Sequence, residues 1–154
     1  MKNQVKNLLN VSEVEITYKT KINKKDRKKI TSSKDAYNLL KQVYNNDTVE
    51  YVESFYILIL NRANEAIGVK QISQGGVSGT VADPKVIFQT ALKANASAII
   101  LSHNHPSGNL TPSSADINLT KKLNKGGKLL DISIHDHIIY TSEGYYSMAD
   151  EGII

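Results

Sequence analysis

The run Ala96-Ser97-Ala98-Ile99-Ile100-Leu101-Ser102 constrains this chain more than any other segment. It is short and almost entirely apolar, the pattern of a strand covered on both faces, so it predicts a sheet sandwiched between helices. The flanking sequence agrees. Asp83-Pro84 is an N-cap followed by proline at the first helical position, and Ile87, Phe88, Ala91 and Ala94 then fall on one helical face. Thr111-Pro112 predicts a second helix by the same rule, running to about Gly126. Asp131 to Tyr140 reads as a further strand, and Gly144-Tyr145-Tyr146 carries a short last one. Upstream, Ser54 to Asn61 is a buried strand, with Ala66 to Gln74 as its hairpin partner across the turn Asn61 to Glu65. The loop Gly75 to Gly79 is either a plain connector using glycine's freedom or a border of a cleft. Strands and helices thus alternate after residue 50, which gives an α/β domain with a mixed sheet.

The first third of the chain is organised differently. Val11 to Tyr18 alternates apolar Val14, Ile16 and Tyr18 with polar Glu13, Glu15 and Thr17, which predicts a strand. Ser32 and Asp35 form a capping pair for a helix bearing Ala36, Leu39, Leu40 and Val43, ended by Asn45-Asn46-Asp47. The expected organisation is therefore an N-terminal strand, basic connector and helix over residues 1–47, packed on a domain of residues 48–154.

Charge separates the same regions. In residues 1–29, nine basic and three acidic residues give +6; in residues 30–154, ten and twelve give −2. The basic excess lies between Lys19 and Lys29. It reads first as a solvated stretch, and a nucleic-acid or acidic-partner contact is the weaker alternative, because only Tyr18 is near enough for base stacking. No apolar run approaches the ~20 residues of a membrane span, and no signal-peptide core follows Met1, so a cytoplasmic protein is expected. The chain has no cysteine, so a transition-metal site must use His, Asp, Glu and water.

Such a site is suggested where the buried run ends. Ligands in open α/β sheets collect outside the carboxyl ends of strands. His103 and His105, two residues apart in an extended segment, project to one side and can converge. Asp116 lies three and seven residues before Leu119 and Leu123, so it shares their inward stripe, on the second turn of the expected helix. A carboxylate carried inward is costly unless it is paired or ligates a metal. Two imidazoles and a carboxylate leave the fourth position of a tetrahedral zinc ion open, as catalytic zinc sites do. Glu53, on the same strand face as Phe55, Ile57 and Ile59, is the candidate for taking and returning protons. Ser113, three residues before Asp116, is placed to donate to an oxyanion. Taken singly these residues have plainer explanations: a surface or core His-x-His, a solvated strand-end Glu, a helix-start Ser. Their combination favours one zinc ion per chain.

The set Glu53, His103-x-His105-Pro106 and Ser113-x-x-Asp116 resembles the motif of the JAMM (JAB) zinc metalloproteases. Ser102-His103-Asn104-His105-Pro106-Ser107-Gly108-Asn109, Ser113-Ser114-Ala115-Asp116 and Asp136-His137 resemble its RadC-like branch more closely, over about residues 48–150. The resemblance implies a three-layer α/β/α sandwich with a mixed central sheet, related to cytidine deaminases. It also implies zinc ligation by His103, His105 and Asp116, proton shuttling by Glu53 and transition-state support from Ser113. JAMM isopeptidases usually have Ser or Thr at the position of Asn104; asparagine is the choice of the RadC-like branch. Full-length members of that branch carry a DNA-binding helix-hairpin-helix module. Residues 1–47 are too short for it and lack its glycine-hairpin pattern, so a short form is expected.

Ser102, Asn104, Asp136 and His137 are further candidates for supporting the ligands or lining the cleft. A carboxylate such as Asp136 would typically orient a ligating imidazole. An ordinary strand-end role is the alternative for Asp136 and His137. His135 and His137 share one face of a regular strand, so a second metal site is conceivable there. The function that follows is zinc-dependent hydrolysis of peptide or isopeptide bonds, with a peptide or protein substrate. The alternative is a binding module with an idle zinc site, linked to DNA or a protein partner. Hydrolysis of a nucleobase amine is disfavoured by the missing Pro-Cys-x-x-Cys element.

Overall fold

The structure, a computed structural model, describes residues 11–75 and 80–154. Its centre is a five-stranded mixed sheet, order β2-β1-β3-β4-β5. β1 (Ser54–Leu60) and β2 (Ala66–Gln74) form the expected hairpin. β1 also pairs antiparallel with β3 (Ala98–Asn104), and β3 pairs parallel with β4 (Ser133–Tyr140). The short β5 (Tyr145–Ser147) closes the far edge. Every residue of β3 is buried, the apolar Ala98 to Leu101 and also the polar Ser102, His103 and Asn104.

Helices cover both faces, so the domain has three layers. On one face α1 (Ser33–Leu40) places Ala36, Tyr37 and Leu40 against Leu58, Leu60, Ile100, Ile138 and Tyr140. On the other, α2 (Pro84–Lys93) and α3 (Ser114–Leu129) place Ile87, Ala91 and Leu123 against Phe55, Ile57, Ile99 and Leu101. Alternation along β1 and β3 feeds one core from even-numbered residues and the other from odd-numbered ones. Burying each of these Leu and Ile side chains contributes roughly 1.5–3 kcal/mol before conformational entropy is set against it.

Local chemistry explains the boundaries, and corrects some. Asp83 caps α2 by accepting from Lys85 N at 2.8 Å, with Pro84 at the first turn. α1 starts at Ser32 as expected, but the Asp35 carboxylate accepts from the backbone and hydroxyl of Thr31 rather than closing the box on Ser32. α3 is capped by Ser113, not Thr111. Ser113 Oγ accepts from Asp116 N and Asp116 Oδ2 accepts from Ser113 N, a reciprocal capping box that fixes the start two residues later than the proline suggests. α3 also runs past Gly126-Gly127 to Leu129. A Cβ on Gly127 would lie 2.3 Å from Ile132 O, so this glycine serves a close backbone approach rather than a helix end.

The strand expected at Val11 to Tyr18 does not form. These residues have no ladder partner, and Val11, Val14 and Ile16 are exposed. An alternating pattern specifies a strand only when a sheet edge pairs with it; here the link to β2 is Tyr18, whose hydroxyl donates to Ile67 O at 2.9 Å. The basic segment makes a short 3-10 turn at Lys24–Asp26 and a single bridge from Lys29 to Glu65. Of the loop Gly75 to Gly79, only Gly75 lies among the described residues; its N–H donates to Glu53 O at 2.9 Å. Among the described residues, no helix is long and apolar enough to cross a membrane.

Candidate metal centre

β3 delivers the first group. His103 is its penultimate residue, buried, on the face shared with Ile99 and Leu101. Its register partner across the sheet is Phe55, whose ring lies parallel to the imidazole at 6.0 Å between centroids. His105 follows one residue past the strand end, half-buried, and its backbone N–H donates to Tyr140 O. The turn from Pro106 to Asn109 then folds back, so that His105 Nδ1 donates to Asn109 O at 2.5 Å. A carbonyl can only accept, so this bond places the ring proton on Nδ1 and turns the bare Nε2 lone pair inward.

α3 delivers the third group. Asp116 stands in the first turn rather than the second, because Ser113 is the cap. Its Oδ1 is 3.3 Å from His103 Nε2 and its Oδ2 is 3.6 Å from His105 Nε2, while the two Nε2 atoms are 2.8 Å apart. One ligand atom from each residue lies within 4.8 Å of the others, and no other such trio exists among the described residues. A tetrahedral ion bonded at ~2.0–2.2 Å holds its ligands about 3.3–3.6 Å apart. The 3.3 and 3.6 Å separations fall in that range but run to different Asp116 oxygens, so an ion bound by one of them requires a small turn of the carboxylate, and the two Nε2 atoms must open by roughly 0.5 Å. These residues can therefore hold a metal ion. The capping box holds the Asp116 carboxylate by the same oxygen that faces His105.

Electrostatics agree. Without an ion, burial opposes ionisation of Asp116, but hydrogen bonds from His103 and His105, which need a proton on the Nε2 atoms where an ion would otherwise bind, overcome it and hold this carboxyl far below the ordinary range. Asp116 in turn raises His105 above the usual histidine value, against the opposing effect of burial, with a smaller contribution from Glu53. Glu53 itself lies one residue before β1, half-buried, in register with the Phe55 face. Ser113 is exposed, and its Oγ is committed as acceptor to the cap, which leaves its hydrogen free to donate.

The remaining candidates separate. His137 belongs to the site: it is fully buried, with Nε2 2.7 Å from His103 Nδ1 and Nδ1 2.6 Å from Thr120 Oγ1. Burial, then neighbouring His103, pushes its pKa well below the usual histidine value, so it is neutral. Thr120 belongs to no motif in the sequence; the only signal for it is that an inward threonine four residues after Asp116 needs a polar partner. Ser102 faces the opposite core, where its hydroxyl meets Tyr44 Oη at 2.9 Å. Asp136 is also on that side; it accepts from Ser147 Oγ, Ala149 N and His137 N, and orients no ligand. It is His137, not the neighbouring carboxylate, that touches His103. Asn104 does not line the ligand cluster either. Its Nδ2 donates to Val49 O and Val52 O and its Oδ1 accepts from Ser54 N, all at 2.7–2.8 Å. Those three bonds flank Glu53 and fix the segment carrying it.

A paired site at His135 and His137 is ruled out by register. Ile99 pairs with Ile134 but Ile100 pairs with Asp136, so β4 bulges at His135. The bulge sends His135 to the exterior, where Nε2 meets Asn64 Oδ1 at 2.9 Å, while His137 is buried against His103.

A family model for the RadC-like JAB domain matches residues 30–153. The chain belongs to the RadC-like JAB family. Among curated relatives, the UPF0758 protein of Flavobacterium johnsoniae is 45% identical over 126 residues, covering 82% of this chain and 54% of the relative. Those of Porphyromonas gingivalis and Methanosarcina mazei are 41% and 38% identical, covering 83% of this chain in each case and 56% and 55% of the relatives. The chain therefore spans a little over half the length of these relatives. The matched region contains the whole His103–His105–Asp116 cluster and Glu53.

Proposed function

We propose that this RadC-like JAB domain is a zinc-dependent hydrolase of peptide or isopeptide bonds, with Glu53 as its proton shuttle. The observation that carries the reading is the convergence of two imidazole nitrogens and a carboxylate on one point at the carboxyl end of β3. His103, His105 and Asp116 would hold one zinc ion. Three protein ligands suit a catalytic rather than a structural zinc, because a closed site needs four. Zinc held there would supply Lewis acidity and lower the pKa of bound water to about 7.

The chain's own groups then have distinct tasks. Glu53, at the mouth of the Phe55 face, takes a proton from the attacking water and passes it to the leaving amine. Ser113, its oxygen anchored in the cap, donates to the carbonyl oxygen as charge develops. The groove between the His105–Leu110 turn and the Thr141–Gly144 turn, with Glu50 at its side, offers a polar bed for an extended peptide. Backbone groups of these two turns would bind the substrate main chain.

Metal analysis of the purified full chain tests the first step, with about one zinc per chain expected. Zinc-free protein, even after refolding with the ion, would end this reading. Glu53→Gln should retain the zinc and lower peptidase turnover by about 10²–10⁴-fold. Unchanged turnover on a library of peptide and isopeptide substrates removes Glu53 from the role.

A further inference from the structure

The Thr120 hydroxyl is 2.7 Å from the backbone carbonyl of Asp116, which can only accept, so Thr120 donates there. Its oxygen then accepts from His137 Nδ1 at 2.6 Å, which assigns the His137 proton to Nδ1 and leaves Nε2 bare. That lone pair, 2.7 Å from His103 Nδ1, takes the His103 proton. His103 is thereby left with a bare Nε2 aimed at Asp116 Oδ1 and His105 Nε2. Every proton in this path runs one way, from His103 through His137 and Thr120 to the peptide of Asp116.

We propose that Thr120 and His137 are positioning residues that set the tautomer and aim of His103 and lock it to the helix bearing Asp116. The inference rests on the zinc reading above. The path joins a ligand on β3 to a ligand on α3 through one residue of β4, so an ion between His103 and Asp116 closes a ring of interactions. All three middle groups, His103, His137 and Thr120, are at most 1% exposed, so no water competes for their bonds. Phe55 lies beside both imidazoles, parallel to His103 at 6.0 Å and edge-on to His137 at 5.5 Å between centroids, so an apolar ring borders the path. A hydrogen-bonded partner on the second nitrogen of a metal-bound imidazole commonly changes metal affinity by about 10–100-fold.

The test compares the full chain with Thr120→Val, which keeps the shape and removes the hydroxyl, and with Thr120→Ser, which restores it. Zinc affinity is read by competition with a chromophoric chelator, and circular dichroism confirms the fold. Thr120→Val should bind zinc about 10–100-fold more weakly, and Thr120→Ser should recover most of the loss. Wild-type affinity in a folded Thr120→Val overturns the relay while leaving the zinc reading intact; failure of the unaltered chain to bind zinc defeats the zinc reading itself. Long-range proton–nitrogen NMR of the zinc-loaded unaltered chain supplies a second measurement that needs no variant. His103 and His137 should each carry their proton on Nδ1, and an Nε2-protonated His137 overturns the relay.

Discussion

The two faces of β3 begin alike and end differently. From Ala98 to Leu101 both are aliphatic and fully buried, Ala98 and Ile100 toward α1, Ile99 and Leu101 toward α2 and α3. At the carboxyl end one face continues into Ser102 and Asn104, whose polar atoms are saturated by Tyr44 and by the backbone of Val49, Val52 and Ser54. The other continues into His103, which with His105 and Asp116 forms an incompletely satisfied cluster of lone pairs. Polar groups buried with all their bonds made are scaffold; polar groups aimed at one another with nothing but acceptors between them call for a cation. The alternation of a strand has thus separated the support of the site from its chemistry by a single residue step.

That contrast can be broken most sharply at His103. His103→Ala should abolish stoichiometric zinc binding while leaving a folded protein, as read by metal analysis and circular dichroism; retained zinc would place the ion elsewhere. Asn104→Ala, one residue on, should do the reverse. It leaves three flanking backbone groups unpaired in a buried place and should lower stability by about 2–4 kcal/mol in urea melts. Zinc binding should survive, while turnover falls because the segment bearing Glu53 is released.

A pH titration sharpens the chemical face alone. Asp116 raises the His105 pKa in the metal-free site, and a protonated imidazole cannot ligate, so protons compete with the ion. Zinc affinity should therefore begin to fall, as pH decreases, at a value above that of an ordinary histidine, by up to about tenfold per pH unit for each proton taken up. Calorimetric affinities across pH 5–8 measure this; an affinity flat over that range contradicts the ligand role of His105. The smallest effect belongs to Ser102→Ala. Tyr44, whose phenol burial pushes well above its usual value, loses a neutral hydrogen bond, and the cost should be about 1 kcal/mol with zinc affinity unchanged.

Much of this was legible in the sequence, for reasons that are local. An apolar run bounded by turns identified β3, and proline beside a capping residue identified α2. The spacing from Asp116 to Leu119 and Leu123 showed that one stripe carries both the carboxylate and core leucines. Where local interactions compete, sequence pattern and structure diverge. The Ser113–Asp116 box outcompeted Thr111-Pro112 as the start of α3, and the close approach of Ile132 explains a glycine pair that resembled a helix end.

The sequence alone determined which residue types meet at the end of β3, because periodicity and motif spacing along one chain dictate which side chains share a face. The tertiary structure decided which of the neighbouring polar residues belong to them. Register is a property of paired strands, so the bulge at His135 that excludes this residue and delivers His137 to His103 has no signature in β4 by itself. Burial likewise depends on what packs above. Thr120 became part of the site only because α3 lies over β4, and Val11 to Tyr18 stayed exposed because no ladder partner takes it up.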